Sequence, residues 1–184
     1  VIDGAERVYD LAREALRMGC SLADAVAARS SGRYDDYEAV VATKRLLPPL
    51  DHPDPAHWLV TGTGLSHLGS AAARDAMHAK LQAAEENLTE QPLELPAFAK
   101  DGGEEVEVCG LYIVADDGTP WRVGFALANE YSDHVTEREN YLYLAHSKLR
   151  ESSYGPELLV GALPRHVRGT ARLLRNGEQI WVSD

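Results

Sequence analysis

Three acidic side chains, Glu105, Glu107 and Glu130, carry the first chemical signal in this chain of 184 residues. The stretches Glu105 to Ala115 and Trp121 to Asn129 read as strands, and Asp116-Asp117-Gly118-Thr119 between them has the composition of a hairpin turn. A two-residue turn at Asp117-Gly118, or a four-residue loop from Asp116 to Thr119, runs the ladder back so that Glu105 stands directly opposite Glu130. Opposed side chains share a face, with Cβ atoms about 5 Å apart. Glu107 belongs to the same face, about 7 Å along the strand. A three-residue loop would shift the register by one and turn Glu130 to the other face.

Like charges placed this way repel one another, so water, a basic side chain, protonation or a cation must offset them. A lone Glu-x-Glu is ordinarily a solvated face, and pairing of the acids by Arg122 or Arg138 is the structural alternative. The neighbours point to an enclosed site. The carboxylate face continues as Cys109, Leu111 and Ile113 on one strand and as Ala128, Ala126 and Gly124 on the other. The opposite face pairs Val108 with Leu127, Gly110 with Phe125, Tyr112 with Val123 and Val114 with Trp121, and is expected to be packed core. Buried carboxylates without partners are costly. Three of them make an all-oxygen set suited to a hard divalent ion, Mg²⁺ first, with Mn²⁺ or Ca²⁺ as alternatives. Zinc recruits His or Cys, and Cys109 stands too far along the strand to be a first choice.

A second signal is Thr61-Gly62-Thr63-Gly64-Leu65-Ser66-His67. It lacks the Lys of a phosphate-binding P-loop, and His67 stands where a dinucleotide fingerprint requires a small residue. The remaining reading is a tight turn that delivers His67 to a helix start, where a neutral imidazole can serve as general base. The ordinary alternative is a surface or capping histidine.

The elements that position these residues follow from periodicity. Val8, Leu11, Ala12, Ala15 and Leu16 recur at helical spacing, with Gly19 as a stop and Ser21 as N-cap of a second short helix. A third helix is expected over Asp35 to Thr43, and the Pro-rich stretch to Pro55 is irregular. Trp58 to Val60 reads as a short strand, and Ser70 to about Asn87 as helix-prone. A helix from about Val135 to Ser147 follows the first hairpin, and Asn176-Gly177 closes a second. The fold class is therefore α+β, short N-terminal helices followed by an antiparallel or mixed β core. An N-terminal helical region spans residues 1–57 and the β core spans 58–184.

Composition bounds the function. With 45% hydrophobic residues, a chain of this length can bury about 70% of its unfolded surface in one core. No run of 18 apolar residues exists, so no membrane partner is expected. Against 29 acidic residues stand 18 basic ones, and the net charge of −11 argues against nucleic acid. Two cysteines, Cys20 and Cys109, make no disulfide framework. Nothing in the cysteine usage flags secretion, so a reduced cytosol is the expected location. The first and last residues read as the interior of a longer product.

Glu105-Val106-Glu107 and Gly124-Phe125-Ala126-Leu127-Ala128-Asn129-Glu130-Tyr131-Ser132 resemble the metal-binding core of the fumarylacetoacetate hydrolase superfamily. In that family a Glu-x-Glu strand and an acid in an Asn-Asp-x-Ser segment hold Mg²⁺ or Ca²⁺, which implies Glu105, Glu107 and Glu130 as ligands. Glu130 replaces the usual Asp, and His134 stands where many members have Arg. The resemblance implies His67 as catalytic base, Lys148 as the active-site lysine at the oxo-acid end of the substrate, and Ser132 and His134 as further substrate contacts. Thr61 to Leu65, Arg74 to His78 and Tyr141 to Arg150 are similar to a bacterial branch of sugar-acid catabolism described as like 2-keto-3-deoxy-arabonate dehydratase. The resemblance runs from about Val8 to Trp181. A cover segment near residues 90–92 and further C-terminal strands of the family are not found in it. It implies a metal-dependent enzyme that dehydrates a 2-keto-3-deoxy sugar acid through a metal-stabilised enolate, usually as a homodimer. C–C hydrolysis of an acylpyruvate-type substrate and a non-catalytic ion or sugar-acid binding module are the alternatives.

Overall fold

In the first helix, α1 (Val8–Met18), helical spacing sets Leu11, Ala12 and Ala15 along one buried stripe. Gly19 ends it at φ +66°, a conformation that costs an L side chain but not glycine. The N–H groups of Gly19 and Cys20 turn back to the carbonyls of Leu16 and Ala15. In α2 (Leu22–Arg29), Ser21 Oγ accepts from the Asp24 N–H at 3.1 Å, and the Asp24 carboxylate accepts from the Ser21 N–H at 3.2 Å, a reciprocal cap. Asp36 caps α3 (Tyr37–Ala42) in the simpler way, accepting from the Ala39 N–H.

The computed structural model describes residues 1–57, 59–60, 79–80 and 94–184. It is α+β, with short helices and antiparallel sheets. The turn at residues 61–67 with His67, and most of the helix expected over 70–87, lie outside the described residues. At Ala79–Lys80 that helix is replaced by a strand, β2, paired antiparallel with β1 (Leu59–Val60). No helix among the described residues is long and apolar enough to cross a membrane.

The central sheet has the order β3 (Gly103–Val114), β4 (Pro120–Ser132), β5 (Lys148–Tyr154), all antiparallel. Five residues link β3 to β4. The Ala115 N–H donates to the Thr119 carbonyl at 2.9 Å, so that the turn itself has three residues, Asp116 to Gly118, with the Gly118 N–H donating to the Ala115 carbonyl at φ +84°. Alone, this loop would have turned Glu130 away from Glu105. Val123 corrects the slip. It is an extra residue between the pairs Tyr112–Arg122 and Leu111–Gly124, and beyond that bulge Glu105 stands opposite Glu130.

The core lies on the carboxylate face, where Leu111, Ile113, Val123 and Ala126 pack with Ala12 and Leu50. The opposite face, expected to be packed, is open among the described residues: Val106, Val108, Tyr112, Val114 and Leu127 are all exposed. The reason is non-local, since α1 and Leu50 meet the sheet from the other side. On the turn side of the bulge the expected pairings of Tyr112 with Val123 and of Val114 with Trp121 are overturned, since Tyr112 stands opposite Arg122 and Val114 opposite Pro120.

The single helix expected over 135–147 is broken. It runs as α4 (His134–Glu139), a 3₁₀ turn at Tyr141–Tyr143, and α5 (Leu144–Ser147). Asn140 is extended at φ −158°, and its side chain accepts from the Leu142 N–H, an alternative to helical bonding that Asn offers readily. A second hairpin, β6 (Ala171–Arg175) and β7 (Glu178–Ser183), turns at Asn176 and Gly177, both with positive φ as a primed turn demands.

Candidate metal centre

Strand pairing assembles the site. Glu105 and Glu130 oppose one another across β3 and β4, and Glu107 follows two residues along β3. One carboxylate oxygen from each lies within 4.8 Å of those of the other two. Asn129 pins the start of this ladder, accepting from the Glu105 N–H at 3.0 Å through Oδ1 while its amide donates to Glu104.

Among the described residues, the lysine or arginine that meets these acids is Lys148, not Arg122 or Arg138. Arg122 lies over the Phe125 ring, 4.7 Å from its centroid, and Arg138 donates from Nε to the His134 carbonyl. Lys148 opens β5 and pairs with Ser132 across the sheet. Its Nζ donates to Glu105 Oε1 at 3.0 Å, to Glu105 Oε2 at 2.8 Å and to Ser132 Oγ at 3.0 Å, and lies 3.2 Å from Glu130 Oε2. The Lys148 side chain is 15% exposed.

The acids answer differently to this environment. Burial pushes the Glu105 carboxyl up, but hydrogen bonds from Lys148 and His134 outweigh it and hold the group below the ordinary range. Burial also pushes Glu130 up. There Lys148 opposes the shift, Glu105 and Glu107 add to it, and the net effect is upward. Lys148 is raised despite the opposing effect of burial, by its bonds to Glu105 and by the charge of Glu130.

His134 Nε2 lies 3.0 Å from Glu105 Oε1. Its ring rests on the backbone of Gly103, where a Cβ would overlap the imidazole. Glu105, His134 and Glu137 form a second group of donor atoms, and with Arg138 they line a cleft of about 530 Å³.

Asp133 went unrecognised in the sequence, although an Asp before a helix start is a cap signal. It is almost fully buried, accepts from the N–H groups of Val135, Thr136 and Lys100, and also accepts from the Thr136 hydroxyl. Burial raises its carboxyl, but these donors outweigh it and bring it to about 2. Its own N–H donates to the Ser147 carbonyl at 2.7 Å, which ties α4 to the residue before Lys148.

The structure thus brings together Glu105, Glu107, Glu130, Ser132, His134 and Lys148, while His67 is outside the described residues. An all-oxygen set from three carboxylates matches the donor preference of hard divalent ions and could hold one. No family model, curated protein or solved structure matches the chain.

Proposed function

We propose that the chain carries the active site of a divalent-metal-dependent enzyme that dehydrates a 2-keto-3-deoxy sugar acid. One observation carries this reading: three carboxylates and one ammonium converge at a single point of the sheet. Glu105, Glu107 and Glu130 would hold Mg²⁺, with Mn²⁺ or Ca²⁺ as alternatives. The ion supplies Lewis-acid polarisation of the 2-oxo group when bound.

The chain's own residues do the rest. Lys148 sets a positive charge beside the oxygen on which the enolate charge develops. Ser132 orients that ammonium through its hydroxyl. A base removes a proton from C3, and the resemblance gives this role to His67. The electron pair then expels the C4 hydroxyl, which takes up a proton and leaves as water. Arg138, Glu137 and His134 line a polar cleft beside Glu105. Their polar groups can hydrogen-bond the hydroxyls of a sugar acid.

The test is an assay of purified protein with a 2-keto-3-deoxy sugar acid and with an acylpyruvate, each with Mg²⁺ and with chelator. Mg²⁺-dependent loss of water from the sugar acid is expected. Turnover of the acylpyruvate alone would replace dehydration by C–C hydrolysis. Ion binding without turnover of either would leave a binding module.

A further inference from the structure

The proposed function makes two demands on one ammonium: it must neutralise carboxylates, and it must meet the substrate. Lysine has three N–H donors. In Lys148 they are engaged by Glu105 Oε1, Glu105 Oε2 and Ser132 Oγ, while Glu130 Oε2 lies 3.2 Å away as an ion pair. No donor is left for an incoming carboxylate. The oxygens it grips are also the ones a divalent ion at Glu105, Glu107 and Glu130 requires. Ser132 is fully buried, and its hydroxyl gives the ammonium a neutral partner outside the three acids.

We infer that Lys148 is an exchangeable counter-cation, which competes with the divalent ion for Glu105 and Glu130 and is released by ion loading to meet the carboxylate of the 2-oxo acid. The inference rests on the function proposed above and adds an order to it. The metal binds first, because only then does Lys148 have donors to offer the acid. Its two roles follow one another at nearly the same point in space, so one lysine serves both.

Two measurements test it without recourse to activity. Calorimetric titration with Mg²⁺ compares the whole chain with Lys148→Met, which keeps the unbranched side chain as far as Cε and removes the ammonium. With the competitor gone, Mg²⁺ is expected to bind about tenfold more tightly or better. In the unaltered protein, acetylation of Lys148 by acetic anhydride, followed by mass spectrometry with Lys100 as internal reference, is expected to speed up on adding Mg²⁺. Unchanged or weaker Mg²⁺ binding by Lys148→Met overturns the inference, as does unchanged or slower labelling. The labelling needs no variant, so a folding defect in Lys148→Met would not shield the idea. If the unaltered protein binds Mg²⁺ and only these responses fail, the counter-cation falls and the metal reading stands. If neither protein binds Mg²⁺, both fall together.

Discussion

Glu107 is the most exposed of the three acids, and Lys148 bonds only the other two. Its carboxylate therefore does little for the fold. Glu107→Gln is expected to change stability by no more than about 0.5 kcal/mol. It is also expected to weaken Mg²⁺ binding by at least about tenfold, the loss usual even for groups behind the ligands. Calorimetry with a parallel urea melt separates the two effects, and full-strength binding by the variant would remove Glu107 from the site. Glu130 has the opposite character. Burial raises its carboxyl, and although Lys148 opposes this, the folded protein holds that proton to a higher pH than the unfolded chain does. Stability contributed this way is present at low pH and lost as pH rises through the raised value. Glu130→Gln escapes that loss. It is expected to gain about 0.5–1 kcal/mol at neutral pH while losing Mg²⁺ binding. A variant less stable than the parent at pH 7 would show that Lys148 already satisfies Glu130 in full.

At the scale of elements, the short helix α4 depends on one buried carboxylate. Asp133 falls from 3.8 to about 2 because backbone and hydroxyl donors outweigh its burial. A depressed carboxyl stabilises the fold above its unfolded value, and that contribution drains away as pH falls from about 4 towards about 2. Thermal melts across that window are expected to show a steep loss of Tm that is shallower in Asp133→Asn. Equal slopes would mean that the cap is not what acid destroys. Local signals of this kind were the readable part of the sequence: Gly19 ending α1, Ser21 capping α2, Asn176-Gly177 closing the last hairpin. The opposition of Glu105 and Glu130 was readable too, but through a turn of the wrong length. The loop is one residue different and Val123 is one residue extra, so the two slips cancel, and nothing in an apolar Val announces a bulge. Burial of both faces of the hairpin was expected because both are apolar, and only the carboxylate face is packed among the described residues. The choice rests on where Leu50 and α1 arrive, a contact distant in the chain. The grip of Lys148 on the acids depends on β5 pairing with β4 across an irregularity between Glu130 and Ser132, which side-chain types do not reveal.

At the scale of the whole molecule, the N-terminal helices and the site share one face of the sheet but not one set of contacts. Leu50 is 0% exposed and packs with Ala12 against Leu111, Ile113, Val123 and Ala126. Its carbonyl accepts from the Tyr154 hydroxyl at 2.5 Å, at the far end of β5 from Lys148. Leu50→Ala removes a fully buried side chain packed between α1 and the sheet, and a buried Leu of this kind costs about 2–5 kcal/mol. That is a large share of the roughly 5–15 kcal/mol that holds a domain together. The Tm is expected to fall by about 2–4 °C for each kcal/mol lost. The acids, in contrast, are positioned by the pairing of β3, β4 and β5 and by Lys148. In Leu50→Ala measured well below its Tm, Mg²⁺ affinity is therefore expected to stay within about twofold of the parent, as for independent sites. Calorimetry at low temperature reads this directly. A variant that is still folded but binds Mg²⁺ much more weakly would show that packing of the N-terminal helices, and not strand pairing alone, holds the three carboxylates together.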